Sequence, residues 1–384
     1  MAETVYVNGK VLAEGRLQEG LAVSVRDGRI SGVQADHGAL PARAEIVDLA
    51  GGCLLPGFID TQVNGGGGVL FNETPSVAGI RTIAEAHQQF GTTGLLPTLI
   101  SDDLEVIYQG LAAVAEAIDT GVPGVLGIHI EGPFLCEERR GVHDASKLRK
   151  LTAELIEQLE PLENGCSLLT VAPETMEPGM VRELSDKGFL VCAGHSNAGY
   201  DQVREAIGEG LRGFTHLYNA MSQLLARESG VVGAALDSDE AWCGIIVDRY
   251  HVSPASVRIA YRCKGPEKLM LVTDAMPPVG SPISEFTMLG SQVTVKGGVC
   301  TDVDGTLAGT ALDMSTAVRN TVRITGCGLP EVSIMASAAP ARFLGIHDQR
   351  GQIAPGCAAD FVVLDHDLIV QRTFVAGQEV WARS

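Results

Sequence analysis

A chain of 384 residues that is 45% hydrophobic and 20% charged has the composition of a folded globular protein, not of a disordered one. Its formal net charge of −19 argues against nucleic acid or an anionic membrane surface as a partner, and no uncharged apolar run reaches membrane-spanning length. The nine cysteines form no C-x-x-C pair, and the N-terminus has neither a basic start nor an apolar run, so reduced thiols and a cytoplasmic location are expected.

The N-terminal segment reads as short strands and turns: Val5-Tyr6-Val7 before Asn8-Gly9, then residues 21–25 before Asp27-Gly28. From residue 54 the pattern changes. Apolar, β-branched runs at 54–60, 94–99, 125–131, 168–174, 189–195, 213–219, 242–248 and 269–274 alternate with amphipathic stretches such as 80–90, 104–118, 200–210 and 254–263. Eight such βα units predict an α/β fold, a closed (β/α)8 TIM barrel of parallel strands. The C-terminal segment returns to short strands, 361–364, then Phe374-Val375 and Glu379-Val380-Trp381 around Ala376-Gly377. The expected division is a barrel over 54–347, with 1–53 and 348–384 meeting in one small sheet domain.

Asp60, Glu131, Glu174, His195, His216, Asp248 and Asp274 sit at or near the C-terminal ends of their runs, the face of a TIM barrel that carries the chemistry. Taken singly, each has a plainer reading as a helix cap or a satisfied core group. Together, two imidazoles and a carboxylate on nearby strand ends, Glu131, His195 and His216, match the ligand set of a catalytic zinc site. Asp274 then fits a general base beside a metal-acidified water, able to return the proton to a leaving nitrogen. His129 is two residues before Glu131 on the same strand face and reads as a core histidine. His143, in the loop after the third strand, and His251, three residues after Asp248, stand between surface and substrate contact, and Arg227 alone reads as a solvated loop cation. His37, His87, His347 and His366 read as structural or exposed. No phosphate-binding P-loop, nucleophile elbow or H-E-x-x-H helix is present.

The segment Pro56-Gly57-Phe58-Ile59-Asp60 and the tail Gly351-Gln352-Ile353-Ala354-Pro355-Gly356, with Ala359-Asp360-Phe361, resemble the amidohydrolase superfamily. The blocks His-Ile-Glu-Gly-Pro (129–133), Gly-His-Ser-Asn-Ala (194–198), Thr-His-Leu-Tyr-Asn-Ala-Met (215–221), Val-Thr-Asp-Ala (272–275) and Asp-Gly-Thr-Leu-Ala-Gly (304–309) resemble, more narrowly, its N-acetylglucosamine-6-phosphate deacetylase family. The resemblance implies a barrel inserted in a small β-sandwich, metal ligands Glu131, His195 and His216, and Asp274 as acid/base. It implies hydrolysis of the acetamide of N-acetylglucosamine 6-phosphate to glucosamine 6-phosphate and acetate, in amino-sugar catabolism. It places the phosphate on Asn219, the Ala220 backbone, Arg227 and His251, and the sugar or acetamide on Val142, His143, the Asp248–His251 segment, Leu307, Ala308 and Gly309. His143 would help to steady the oxyanion. Arg227 would come from the second subunit of a homodimer, which concentrates cations locally in an acidic protein. Most amidohydrolases carry His-x-His on the first strand; here the stretch is Asp60-Thr61-Gln62, so one divalent ion per subunit is expected, Zn2+ before Fe2+, Co2+ or Mn2+. The alternatives are an amidohydrolase for a cyclic amide or another N-acyl compound, and a non-catalytic scaffold.

Overall fold

The structure is a computed structural model and describes residues 3–36 and 44–383. Eight strands pair in parallel in unbroken chain order: β1 (Phe58–Val63), β2 (Thr92–Ile100), β3 (Gly127–Glu131), β4 (Cys166–Val171), β5 (Leu190–Ala193), β6 (Gly213–Phe214), β7 (Trp242–Ile245) and β8 (Leu269–Leu271). The ends of the sheet come together where the Asp274 N–H donates to the Gln62 carbonyl at 3.0 Å and Val63 bridges Ala275 in parallel. The predicted (β/α)8 barrel is therefore the observed fold, and all eight apolar runs supply a strand.

The helices that follow are α1 (Val77–Gln88), α2 (Leu104–Asp119), α3 (Ala153–Gln158), α4 (Met180–Lys187), α5 (Tyr200–Glu209), α6 (Gly230–Asp237), α7 (Pro254–Lys268) and α8 (Met314–Thr325). In α1 the Ser76 side chain accepts from the Gly79 N–H at the N-cap, and Ile80, Ile83, Ala84 and His87 form the buried stripe that a helical period puts on one face. Asp313 caps α8 in the same way, and Gly326 ends it in the left-handed region. Among the described residues, no helix is long and apolar enough to cross a membrane.

The two ends of the chain share a six-stranded sheet. Its order is Gln378–Ala382, Val370–Val375, Phe361–Leu364, Cys53–Pro56, Lys10–Ala13 and Arg16–Glu19. A four-stranded sheet of Arg29–Ala35, Leu21–Arg26, Thr4–Val7 and Glu45–Asp48 lies with it around Tyr6, Val23, Leu54, Phe361 and Phe374. Tyr6 meets Phe361 and Phe374 edge-on, each pair of ring centroids being 5.1 Å apart. Phe361→Ala is expected to cost about 3–5 kcal/mol, the usual range for a phenylalanine cavity. A denaturant midpoint within error of the parent would show that this cluster does not hold the ends together.

Two elements depart from the sequence expectation. The run 54–60 is not one strand: Cys53–Pro56 belongs to the terminal sheet and Phe58–Val63 to the barrel, so the chain changes sheets at Gly57. Between β8 and α8 the chain also forms an unpredicted antiparallel sheet, Glu285–Met288, Ser291–Lys296, Val299–Thr301 and Leu307–Thr310. Its Phe286, Met288, Val293, Cys300 and Ala308 pack on Leu70, Ile100 and Met276 at the C-terminal mouth of the barrel.

Candidate metal centre and cleft

Glu131 ends β3, whereas His195 and His216 each lie two residues beyond the end of β5 and β6. His195, His216 and Asp274 all have positive φ (49°, 31° and 52°), a left-handed conformation that non-glycine residues rarely adopt. Gly194 lets β5 sit close between its neighbours, since a Cβ there would lie 2.7 Å from the Thr170 methyl and 3.0 Å from Thr215 Cβ.

The three side chains meet at one point. Glu131 Oε1 lies 3.2 Å from His195 Nε2 and 2.9 Å from His216 Nε2, and the two Nε2 atoms are 3.0 Å apart. All three residues are buried. The Nδ1 of His195 is 2.8 Å from the Arg139 carbonyl, which can only accept, so Nδ1 carries the proton and a neutral ring leaves Nε2 with its lone pair toward the centre. Two unprotonated Nε2 atoms and a carboxylate at this spacing would repel one another, so either a proton or a cation belongs among them. Burial alone would raise the Glu131 carboxyl, but where an Nε2 carries that proton its hydrogen bond to Oε1 outweighs burial and holds the group well below the ordinary range. The donor set therefore fits a divalent cation.

Asp274 lies beside this centre. Its Oδ1 accepts from Asn64 Nδ2 at 2.6 Å and from Gln62 Nε2 at 3.2 Å. Burial, then the Glu131 charge, raises its pKa to about 6. Gln62 Nε2 also donates to Glu131 Oε2 at 3.1 Å, so its two N–H groups face two carboxylates. An amide nitrogen has no lone pair to offer a metal, and here both of its N–H groups are taken up by the two acids. Asp60 is buried between β1 and β8, accepting from Thr273 and the Gln62 N–H, and burial raises its pKa to about 7. Glu174 is used by Ser196 and the Asn197 N–H.

A cleft of about 390 Å³ opens above the centre. Val142, His143, Asn219, Ala220, His251, Leu307 and Gly309 line it together with Glu131, His195, His216 and Asp274. His143 Nδ1 accepts the Ser101 N–H at 3.2 Å, with Ser101 Oγ at 2.8 Å, so the proton of the neutral ring is on Nε2. Burial, then the neighbouring His195, keeps that ring neutral far below its ordinary pKa. His251 is oriented by Asp248, whose Oδ2 lies 2.6 Å from His251 Nδ1. Gly309 has a φ of 58° and no room for a Cβ, which would lie 2.6 Å from Met276 and 2.9 Å from the Asp274 carbonyl oxygen.

Some expected residues lie elsewhere. Ala308 is buried behind Leu307 and Gly309, and Asp248 stands behind His251. Arg227 is on the exposed 222–229 loop, outside the cleft lining. His129 is a core histidine, with Nδ1 3.0 Å from the Thr61 carbonyl and Nε2 2.8 Å from Thr170 Oγ1. His87 is buried with Nε2 on the Gly65 carbonyl, His366 is exposed and His37 lies outside the described residues. Sequence reasoning missed Asn64, Ser101 and the Arg139 carbonyl. Asn64 was accessible, because residues 62 and 64 share a strand face; the other two act across loops whose course no local pattern reveals.

Residues 53–380 match the Amidohydrolase family. The chain is 46% identical over 372 residues, 96% of its length and 94% of the relative's, to N-acetylgalactosamine-6-phosphate deacetylase of Shewanella sp. (strain ANA-3). It is 38% identical over 352 residues, 87% and 85% of the two chains, to N-acetylglucosamine-6-phosphate deacetylase of Homo sapiens. The crystal structure of N-acetylglucosamine-6-phosphate deacetylase from Pasteurella multocida superposes with a TM-score of 0.95 at 35% identity, over 99% of this chain and 100% of that one. With the barrel, the strand-end ligand cluster and these matches in agreement, the chain belongs to the amidohydrolase family.

Proposed function

We propose that this chain hydrolyses the acetamide of N-acetylglucosamine 6-phosphate, releasing acetate and glucosamine 6-phosphate. The observation that carries the reading is the convergence of Glu131, His195 and His216 at the floor of a cleft, beside a carboxyl whose pKa burial has raised to about 6. Glu131 Oε1 and the two Nε2 atoms would hold one divalent ion, Zn2+ before Fe2+, Co2+ or Mn2+. Such an ion acidifies water toward neutrality and polarises an amide carbonyl. Asp274 takes the proton of the attacking water and delivers it to the amide nitrogen as the C–N bond breaks. His143 Nε2–H donates to the carbonyl oxygen as it gains negative charge. His143→Phe is accordingly expected to lower kcat by about a hundredfold or more, and unchanged turnover would take His143 out of this role.

Asn219, the Ala220 backbone and His251, set by Asp248, receive the phosphate. Val142, Leu307 and Gly309 shape the walls around the sugar and its acetamide, and Ala308 backs Leu307 and Gly309 from the core. Arg227 completes the phosphate site from a second copy in a homodimer. Leu224 and Leu225 on its loop, 53% and 64% exposed, support a covered surface there. The reading assigns catalysis to a barrel domain that starts at Gly57, three residues later than the expected 54, and runs to 347. It assigns a structural role to a sandwich of 1–56 and 348–384, supported by the sheet that draws strands, Cys53–Pro56 among them, from both ends. Nine free cysteines suit a reducing, cytoplasmic setting.

A second reading is favoured by the 46% relative: the galacto epimer, N-acetylgalactosamine 6-phosphate, is the better substrate. Acetate release from both 6-phosphates and from the unphosphorylated sugars, together with metal analysis of the purified chain, decides between them. Equal rates on phosphorylated and plain sugars would defeat both readings, and a chain without metal that gains nothing from added Zn2+ would favour a scaffold.

A further inference from the structure

We propose that Asn197 is a positioning residue for the metal ligand His195, acting through the loop at 136–143. The inference rests on the metal reading of Glu131, His195 and His216. That loop grips His195 at three points. The His195 Nδ1–H donates to the Arg139 carbonyl at 2.8 Å, and the His195 carbonyl accepts the Cys136 N–H at 3.0 Å. The His143 ring meets the His195 ring edge-on, with centroids 4.4 Å apart. The Arg139 carbonyl thus sets both the tautomer and the rotation of the imidazole, as outer partners of ligating histidines do.

A carbonyl orients a ring only if it is itself held still. The segment that carries it, Glu137–Arg139, is a single short turn with no buried residue, so it lacks a core contact of its own. Asn197, two residues beyond His195, supplies the hold. Its Oδ1 accepts from Arg139 Nε at 2.9 Å, and its Nδ2 donates to Glu138 Oε2 at 2.8 Å. Asn197 is anchored in turn: its N–H donates to Glu174 Oε1 at 2.5 Å, and Ser196 Oγ donates to the other oxygen of that carboxylate at 2.7 Å. The contacts close a ring that leaves the chain after His195, crosses the Asn197 amide to Glu138 and Arg139, and returns at the His195 imidazole. An amide suits this post because it carries an acceptor and donors in one plane. A carboxylate there would satisfy Arg139 but repel Glu138.

Truncating an exposed polar residue is ordinarily close to neutral, so a loss of metal affinity would mark a specific role. The test is equilibrium competition for Zn2+ between the full-length chain and a chromogenic chelator. Asn197→Ala and Asn197→Asp are each expected to weaken Zn2+ about tenfold, the lower end of the effect of outer partners. Turnover lost at limiting Zn2+ should return when Zn2+ is saturating. The double variant N197D/E138Q reverses donor and acceptor across the same contact and is expected to regain most of the affinity. Asn164→Ala removes another exposed amide that bridges an acid and a carbonyl, at the far end of the barrel, and should leave Zn2+ binding unchanged. Asn197 variants that bind Zn2+ as the parent does, or a double variant as weak as Asn197→Ala, would overturn the inference while leaving the metal site standing. A parent chain that takes up no Zn2+ would sink the metal reading and this inference with it.

Discussion

Asp274→Asn is expected to keep its metal and fold while kcat falls by about three orders of magnitude or more, the upper part of the range for removing a general acid–base group. The replacement is nearly isosteric, and the surroundings dictate how it sits. Asn64 and Gln62 both donate to Oδ1, so the new amide must turn its oxygen toward them. Its nitrogen then occupies the place of the free carboxylate oxygen, where it can neither take a proton from water nor give one to the leaving amine. Neither Glu131 nor the two histidines lose a contact in the variant, which is why metal content should be unaffected. Near-parental turnover would remove Asp274 from the reaction.

The same residue predicts a pH dependence. The working form of Asp274 is ionised, and burial together with the Glu131 charge raises its pKa to about 6. Activity is therefore present above that value and lost as pH falls through it. A cation among Glu131, His195 and His216 would offset the Glu131 charge and pull the limb lower. The acid limb of kcat/KM in the metal-loaded protein should thus lie at or below about pH 6 and be absent from the residual activity of Asp274→Asn. A residual activity that keeps the limb would assign it to another group.

Glu131→Gln is expected to lose the metal and, with it, about three orders of magnitude in turnover, since a catalytic metal is worth several kcal/mol at roughly 1.4 kcal/mol per decade. Glu131 is the one charged oxygen among three donors, and an amide oxygen is a much weaker ligand beside imidazole. The change also alters the histidines. Burial alone would keep His216 neutral, and the carboxylate of Glu131 is what raises its pKa above the ordinary value. Without that charge the cation loses its counterion. The fold should survive, because the amide can still accept from Gln62 and a buried charge has been removed. Circular dichroism that matches the parent, with metal content near zero, is the expected pair of results; full metal content with full activity would refute the ligand assignment.

Much of this architecture was legible locally. The eight apolar runs became eight strands because a parallel sheet covered on both faces demands unbroken apolar stretches, which stand out in sequence. The strand-end polar residues were legible for the complementary reason: at the end of such a stretch a Glu131 or a His195 has no apolar role to fill. Where a run crossed from one sheet to another, at Gly57, periodicity carried no signal, since both sheets want the same residues. The sheet over 285–310 was missed because its strands bury only one face against the barrel mouth, so their pattern resembles that of loops.

By itself, then, the sequence determined the barrel, the joining of the two ends and the residue types for a metal site, because burial and strand period act on neighbours in the chain. Only the tertiary structure decided the rest. It put Gln62 between Glu131 and Asp274, raised the Asp274 carboxyl by enclosing it, chose the tautomers of His143 and His195 through Ser101 and Arg139, and left Arg227 on an exposed loop outside the cleft. Each of these depends on distances of a few ångströms between residues tens to hundreds of positions apart, and electrostatics and hydrogen bonding are set by those distances, not by order along the chain.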